Sequence, residues 1–172
     1  MSIFSGRCVQ QYWTFLIIAW SIHNLEEALT MPHWIEQHKN ILPLTSFITI
    51  QTIQQSFPIA LILATILPIL IGIFSIIKKW DTRIFAIILG IFLVNALQHI
   101  ALTIIFKQYT PGCITAFLIN LPLAVFILKY LFNKSLLKNF SWYHIIILGT
   151  IAFVISILLI WIISFSINRI LN

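Results

Sequence analysis

Acidic residues are scarce in this chain: four among 172, against ten Lys and Arg. Charged residues of both signs make up only 8%, while 60% are hydrophobic. Soluble domains carry about 25% charged residues, so a water-exposed globule is excluded. A mean hydropathy of +1.04 points to an integral membrane protein. Cysteine is nearly missing too. The two thiols, Cys8 and Cys113, are predicted on opposite sides of the bilayer, which rules out a disulfide scaffold. There are five glycines and no Gly/Ser-rich run, so nothing marks a linker, and residues 1–172 read as a single transmembrane helical domain. The basic residues are scattered over short loops and form no basic face, which excludes nucleic acid as a partner.

What the chain has instead is apolar runs. Five stretches are long enough to cross a hydrocarbon core of about 30 Å: Gln11–Leu29, Phe57–Ile77, Ile84–Phe106, Ile114–Phe132 and Tyr143–Ile167. The expected fold is all-α, a polytopic bundle of five transmembrane helices. The first run ends in His and Glu with no small-residue cleavage site, so it is expected to be retained rather than cleaved as a signal. Five crossings place Arg7, Lys78, Lys79, Arg83, Lys129, Lys134 and Lys138 on one side and Lys39, Lys107 and Arg169 on the other. The positive-inside rule then makes the N-terminus cytoplasmic. The expected location is the plasma membrane, with membrane lipids as surroundings; an oligomer is compatible with this reading. Trp13, Trp80 and Trp142 are expected at the inner interface, Trp34 and Tyr109 at the outer one. Pro58 is expected to start the second span, with Pro68 and Pro122 as kinks. The run "TSFITIQTIQQSF" before it reads either as an interfacial helix or as an extension of that span, with Phe47 on its apolar side. Whether its Gln51, Gln54 and Gln55 line a pocket is left open by the sequence.

Two of the four acids stand in the first span. In "SIHNLEEALT" the helical repeat sets His23, Glu26 and Glu27 within an arc of about 100°. A carboxylate at such depth costs several kcal/mol unless it has a counter-charge, a proton or a metal. The third span contains "VNALQHIALT", where Asn95 and His99 share a face one turn apart, with Thr103 beyond. His23 and His99 sit at similar distances from the outward ends of their spans, so the two imidazoles are predicted at one level of the outer leaflet. The turn "KQYTPGCITA" that follows brings Tyr109 or Thr110 over the same cavity, with Pro111 and Gly112 as turn formers and Thr115 and Asn120 as further polar candidates. His33 and His38 read as solvated loop residues, and His144 begins the fifth span on the inner side.

The residues His23-Asn24-Leu25-Glu26-Glu27, the pair Asn95 and His99, and the run from Tyr109 to Ala116 together resemble the HXXEE-motif family of small bacterial integral membrane proteins. The resemblance covers roughly residues 12–160. It implies the membrane class and the site, and it implies no particular reaction.

His23, Glu27 and His99 form a two-histidine, one-carboxylate set, the donor count of a catalytic zinc or non-haem iron centre. The remaining acids are too few for a di-iron bundle, so a single Zn or Fe ion is the expected cofactor. Glu26, Asn95 and Tyr109 are the candidate catalytic residues around it. The leading expectation is a membrane-embedded enzyme acting on a lipid-like or apolar substrate. One alternative is a metal-free acid/base isomerase or hydrolase built on the same groups. Another is a metal-binding or transport protein without catalysis, although the inner halves of the first and third spans offer no polar path. A purely structural cluster is disfavoured, because intramembrane polar contacts return only about 0.6 kcal/mol each.

Overall fold

The computed structural model describes residues 4–39, 49–78, 80–138 and 140–171, with side chains from Val9 onward. Arg7 and Cys8 as side chains, and Phe47 and Lys79 altogether, lie outside the described residues. All regular structure among those described is helical: α1 (Phe4–Gln37), α2 (Ile50–Lys78), α3 (Thr82–Phe106), α4 (Cys113–Thr115), α5 (Leu121–Asn133) and α6 (Trp142–Leu171). A π-helical turn, Ala116–Asn120, joins α4 to α5, so that Cys113–Asn133 runs as one helix of 21 residues. The protein is a helical membrane bundle.

Length and apolarity qualify four helices to cross a membrane: α2, α3, Cys113–Asn133 and α6. The sequence reading expects five. The helix that falls short is α1, because His23, Asn24, Glu26 and Glu27 dilute its apolar run. It nevertheless lies along α3 in parallel. Ring contacts pair Trp13 with Phe85 at 4.9 Å, Trp20 with Phe92 at 5.4 Å and His23 with His99 at 4.7 Å, advancing along both helices in the same direction.

The core gathers around α3, whose Phe85, Ala86, Leu89 and Ala96 are fully buried. On one side α3 crosses α6 at two glycines. A Cβ on Gly90 would lie 2.6 Å from the Ile145 carbonyl, and one on Gly149 would lie 2.6 Å from the Gly90 carbonyl carbon. Such close backbone approach is what drives helix association where lipid removes the hydrophobic term. Antiparallel α2 is fastened to α1 by polar bonds: Trp20 Nε1 donates to the Ala64 carbonyl at 2.7 Å, and Asn24 Nδ2 donates to Thr65 Oγ1 at 2.7 Å.

Three local expectations change. α1 continues past Leu29, through Pro32, to Gln37, because a proline in an intramembrane helix is tolerated when neighbours absorb the lost bond. α2 begins eight residues before Pro58, at Ile50, so from Ile50 onward the Gln-rich run extends the second span. Trp13, only 4% exposed, packs inside the bundle against Phe85 instead of sitting in an interfacial belt.

Candidate metal centre

The site forms where α1, α3 and the start of α4 meet. α3 ends at Lys107 in the left-handed conformation, and the chain turns back so that the Cys113 amide bonds the Thr110 carbonyl at 3.1 Å. Gly112, with φ of 81°, completes the turn and lays its backbone on the two imidazoles. A Cβ there would meet His23 Cε1 at 2.7 Å and His99 Cε1 and Nδ1 at 3.0 Å. Glycine is therefore required twice over, for its backbone angle and for the lack of a side chain.

Glu26 does not point at the histidines' free edges; it caps the fourth helix. Its Oε2 accepts from the Thr115 amide at 2.8 Å and the Thr115 hydroxyl at 2.6 Å. Its Oε1 accepts from the Ile114 amide at 3.1 Å and the Tyr109 hydroxyl at 2.8 Å. The first amides of a helix are unpaired donors at the positive end of its dipole, so a carboxylate from another helix is a fitting partner. Tyr109 also reaches Thr30 Oγ1 at 3.3 Å. Burial, reinforced by the Glu26 carboxylate, pushes its phenol up to about 12, so the hydroxyl remains a donor at neutral pH.

These contacts decide the tautomers. The Thr115 hydroxyl hydrogen is directed at Glu26, its shortest acceptor, so Thr115 Oγ1 accepts from His23 Nδ1 at 2.8 Å. His99 Nδ1 lies 2.8 Å from the Pro111 carbonyl oxygen, which can only accept. Both rings therefore carry hydrogen on Nδ1 and turn Nε2 toward the site, where a neutral imidazole offers its lone pair. His23 Nε2 is buried without a hydrogen-bond partner among the described residues. His99 Nε2 faces Glu27 Oε1 at 3.3 Å and Asn95 Nδ2 at 3.4 Å.

One ligand atom from each of His23, Glu27 and His99 fits within 4.8 Å of the others. Two ligands bound tetrahedrally at the usual zinc distances are about 3.4 Å apart, close to the observed separation of His99 and Glu27. A charge-assisted hydrogen bond would draw the same atoms to about 2.7–2.9 Å. Oxygen and nitrogen facing each other in a buried site can be joined by a metal ion or by a proton.

Beside the centre lies a cavity of about 510 Å³ between α1, α2, α3 and α6, with Glu27, Asn95 and His99 in its wall. Asn95 Oδ1 is buried without a partner among the described residues. Of the sequence candidates, the structure brings His23, Glu27, His99 and Asn95 together. It sets Glu26 and Tyr109 one layer out, on the cap. Gln51, Gln54 and Gln55 are exposed and outside the cavity wall; Gln54 bonds Glu36 at 3.3 Å. His144 bonds Ser141 at 2.7 Å, away from the site. From sequence alone Thr115 is only one of the remaining polar groups and Gly112 a turn former. A Pro-Gly pair followed three residues later by Thr, opening an apolar run, was the available signal.

A family model described as "Protein of unknown function with HXXEE motif" matches residues 13–127. Among curated proteins, the chain is 32% identical over 154 residues to "Uncharacterized protein YrkK" of Bacillus subtilis strain 168, covering 85% of this chain and 89% of that one. No solved structure matches.

Proposed function

The chain belongs to the HXXEE-motif family, and we propose that it is a membrane-embedded enzyme of the plasma membrane that binds one zinc or iron ion through His23, Glu27 and His99 and acts on a lipid-like substrate. The observation that carries this reading is the convergence of three lone-pair donors in one buried spot, with both imidazoles held in the Nδ1–H form by groups outside the spot. A protein that needed only helix packing would have no reason to bury an unpaired His23 Nε2. Two histidines and one carboxylate leave coordination positions open, and the neighbouring cavity gives a substrate access to them.

The residues divide the work. Thr115 and the Pro111 carbonyl orient the imidazoles, as outer-shell acceptors do in metal sites. Glu26 pins the start of the fourth helix, with Tyr109 as its outermost donor, and thereby holds Thr115 in place. On this reading Glu26 and Tyr109, catalytic candidates from the sequence, act as positioning residues. Asn95, with a free carbonyl oxygen and an amide near His99, is suited to holding a substrate hydroxyl or carbonyl. A bound divalent ion would supply Lewis-acid polarisation of a substrate oxygen or activation of water.

A second reading, acid/base chemistry without metal, is favoured by the direct His99–Glu27 pairing at 3.3 Å, which is a route for a proton between base and acid. Elemental analysis of the purified protein separates the two. One Zn or Fe per chain, lost in His23→Ala and His99→Ala, is the expected result. A folded wild-type protein that takes up neither metal on reconstitution refutes the metal reading and leaves the acid/base pair.

A further inference from the structure

The shape and lining of the cavity restrict what it can hold. On α3 its wall runs from Ile88 to Leu102, about 21 Å of helix at 1.5 Å per residue. A cavity of about 510 Å³ drawn out along that length suits an extended hydrocarbon chain. Its polar lining is confined to the outer half: Asn24 and Glu27 on α1, Asn95, Gln98 and His99 on α3, and Thr110 in the turn, with Ser156 of α6 about two turns beyond the Gly149 crossing. The inner half is walled by side chains such as Trp13, Leu16, Ile71 and Ile88. Among the described residues no Lys or Arg lines any part of it. Phosphate recognition relies on such cations.

We propose that the cavity binds one single-chain amphiphile with an uncharged oxygen-bearing head group, of the long-chain alcohol or aldehyde class, its head against Asn95 and His99 and its tail directed inward. In the metal-free protein a phosphorylated head group would find no Lys or Arg in the wall, and a second chain would compete for the same 510 Å³. The proposal deepens the enzyme reading by naming its substrate class, while the fit of the tail does not depend on a metal.

Four of the six tryptophans, Trp13, Trp20, Trp34 and Trp161, border the cavity, which makes quenching by a brominated chain a direct readout. The protein in phosphatidylcholine nanodiscs, both chelator-treated and zinc-loaded, is titrated with ω-bromododecanol. Saturable quenching near one equivalent per chain is expected. It should be displaced by dodecanol but not by diacylglycerol, at least about tenfold weaker with ω-bromododecyl phosphate in the chelator-treated protein, and lost in Ala60→Phe, which fills the wall. Non-saturable quenching, displacement by diacylglycerol, or equal affinity of the chelator-treated protein for the phosphate overturns the proposal. Saturable binding by a protein that never takes up metal refutes the metal reading alone, and metal uptake without saturable quenching refutes this one alone.

Discussion

Replacing Gly112 by alanine should open the proposed metal centre without altering any of its three candidate ligands. The new Cβ would stand 2.7 Å from His23 Cε1 and 3.0 Å from His99 Cε1, and neither ring has a free direction of retreat. His23 is tied to Thr115 and His99 to Pro111, both on the same turn as the substituted residue. Two costs combine. An L-residue at φ of 81° loses about 1–2 kcal/mol against glycine, and overpacking a close-fitted site costs about 1–3 kcal/mol. Together they amount to about 2–5 kcal/mol against the arrangement that brings the two Nε2 atoms together. At 1.4 kcal/mol per decade, zinc affinity should fall at least roughly 30-fold. Competition with a chromophoric chelator measures it, and thermal unfolding in detergent reports how much of the cost is borne by the fold. Gly112→Asn separates the two terms, because Asn tolerates the left-handed backbone yet retains the Cβ. If Gly112→Ala binds zinc within twofold of wild type at unchanged stability, the turn does not press on the imidazoles and the geometry argued above is wrong.

Thr115→Val keeps the shape and removes the hydroxyl between His23 and Glu26, so His23 loses its tautomer control; metal affinity should drop about 10- to 100-fold by chelator competition, and an unchanged value would count against the tautomer argument. Glu26→Gln turns an NH2 group toward two of the four donors, one of them a backbone amide in either orientation, so hydrogen exchange at the Ile114 or Thr115 amide should quicken markedly, and unaltered protection of both would deny the capping role. Gly149→Leu should lower the thermal midpoint in detergent sharply by forcing α3 and α6 apart, whereas Gly149→Ala should cost less; equal midpoints for wild type and the leucine variant would contradict the close crossing. Tyr109 has a folded value raised above that of the unfolded chain, so its stabilising contribution is full below pH 10 and is lost as pH rises toward about 12. Tyr109→Phe should flatten that alkaline limb of the stability profile, and an identical limb in both proteins would show the phenol to be uninvolved.

The helical class and the meeting of α1 with α3 were legible because burial of a charge in lipid is so costly that His23, Glu27, Asn95 and His99 had to find one another, and matched depth told where. The division of labour between the two glutamates was not legible. Periodicity puts Glu26 and Glu27 on one side of α1, but the partners that separate them, the Ile114 and Thr115 amides, are backbone groups 88 and 89 residues away. No side-chain pattern announces a backbone donor. The role of Gly112 was hidden for a similar reason: Pro-Gly marks a turn from sequence alone, while the contact that demands glycine exists only after two distant helices pack. The start of α2 at Ile50 was ambiguous because Gln51, Gln54 and Gln55 suit an interfacial helix as well as the exposed outer turns of a span. The π-helical turn ending at Asn120 had no readable signal, and Asn120 is fully buried with both amide atoms unpartnered among the described residues.

X-ray absorption at the edge of zinc loaded into the purified protein reads out whether His23, Glu27 and His99 hold the ion. Two imidazole nitrogens at about 2.0–2.1 Å and carboxylate oxygen at about 2.0–2.2 Å are predicted, with one imidazole lost in His99→Ala. A shell of oxygen alone, or one unchanged by that substitution, would contradict this assignment.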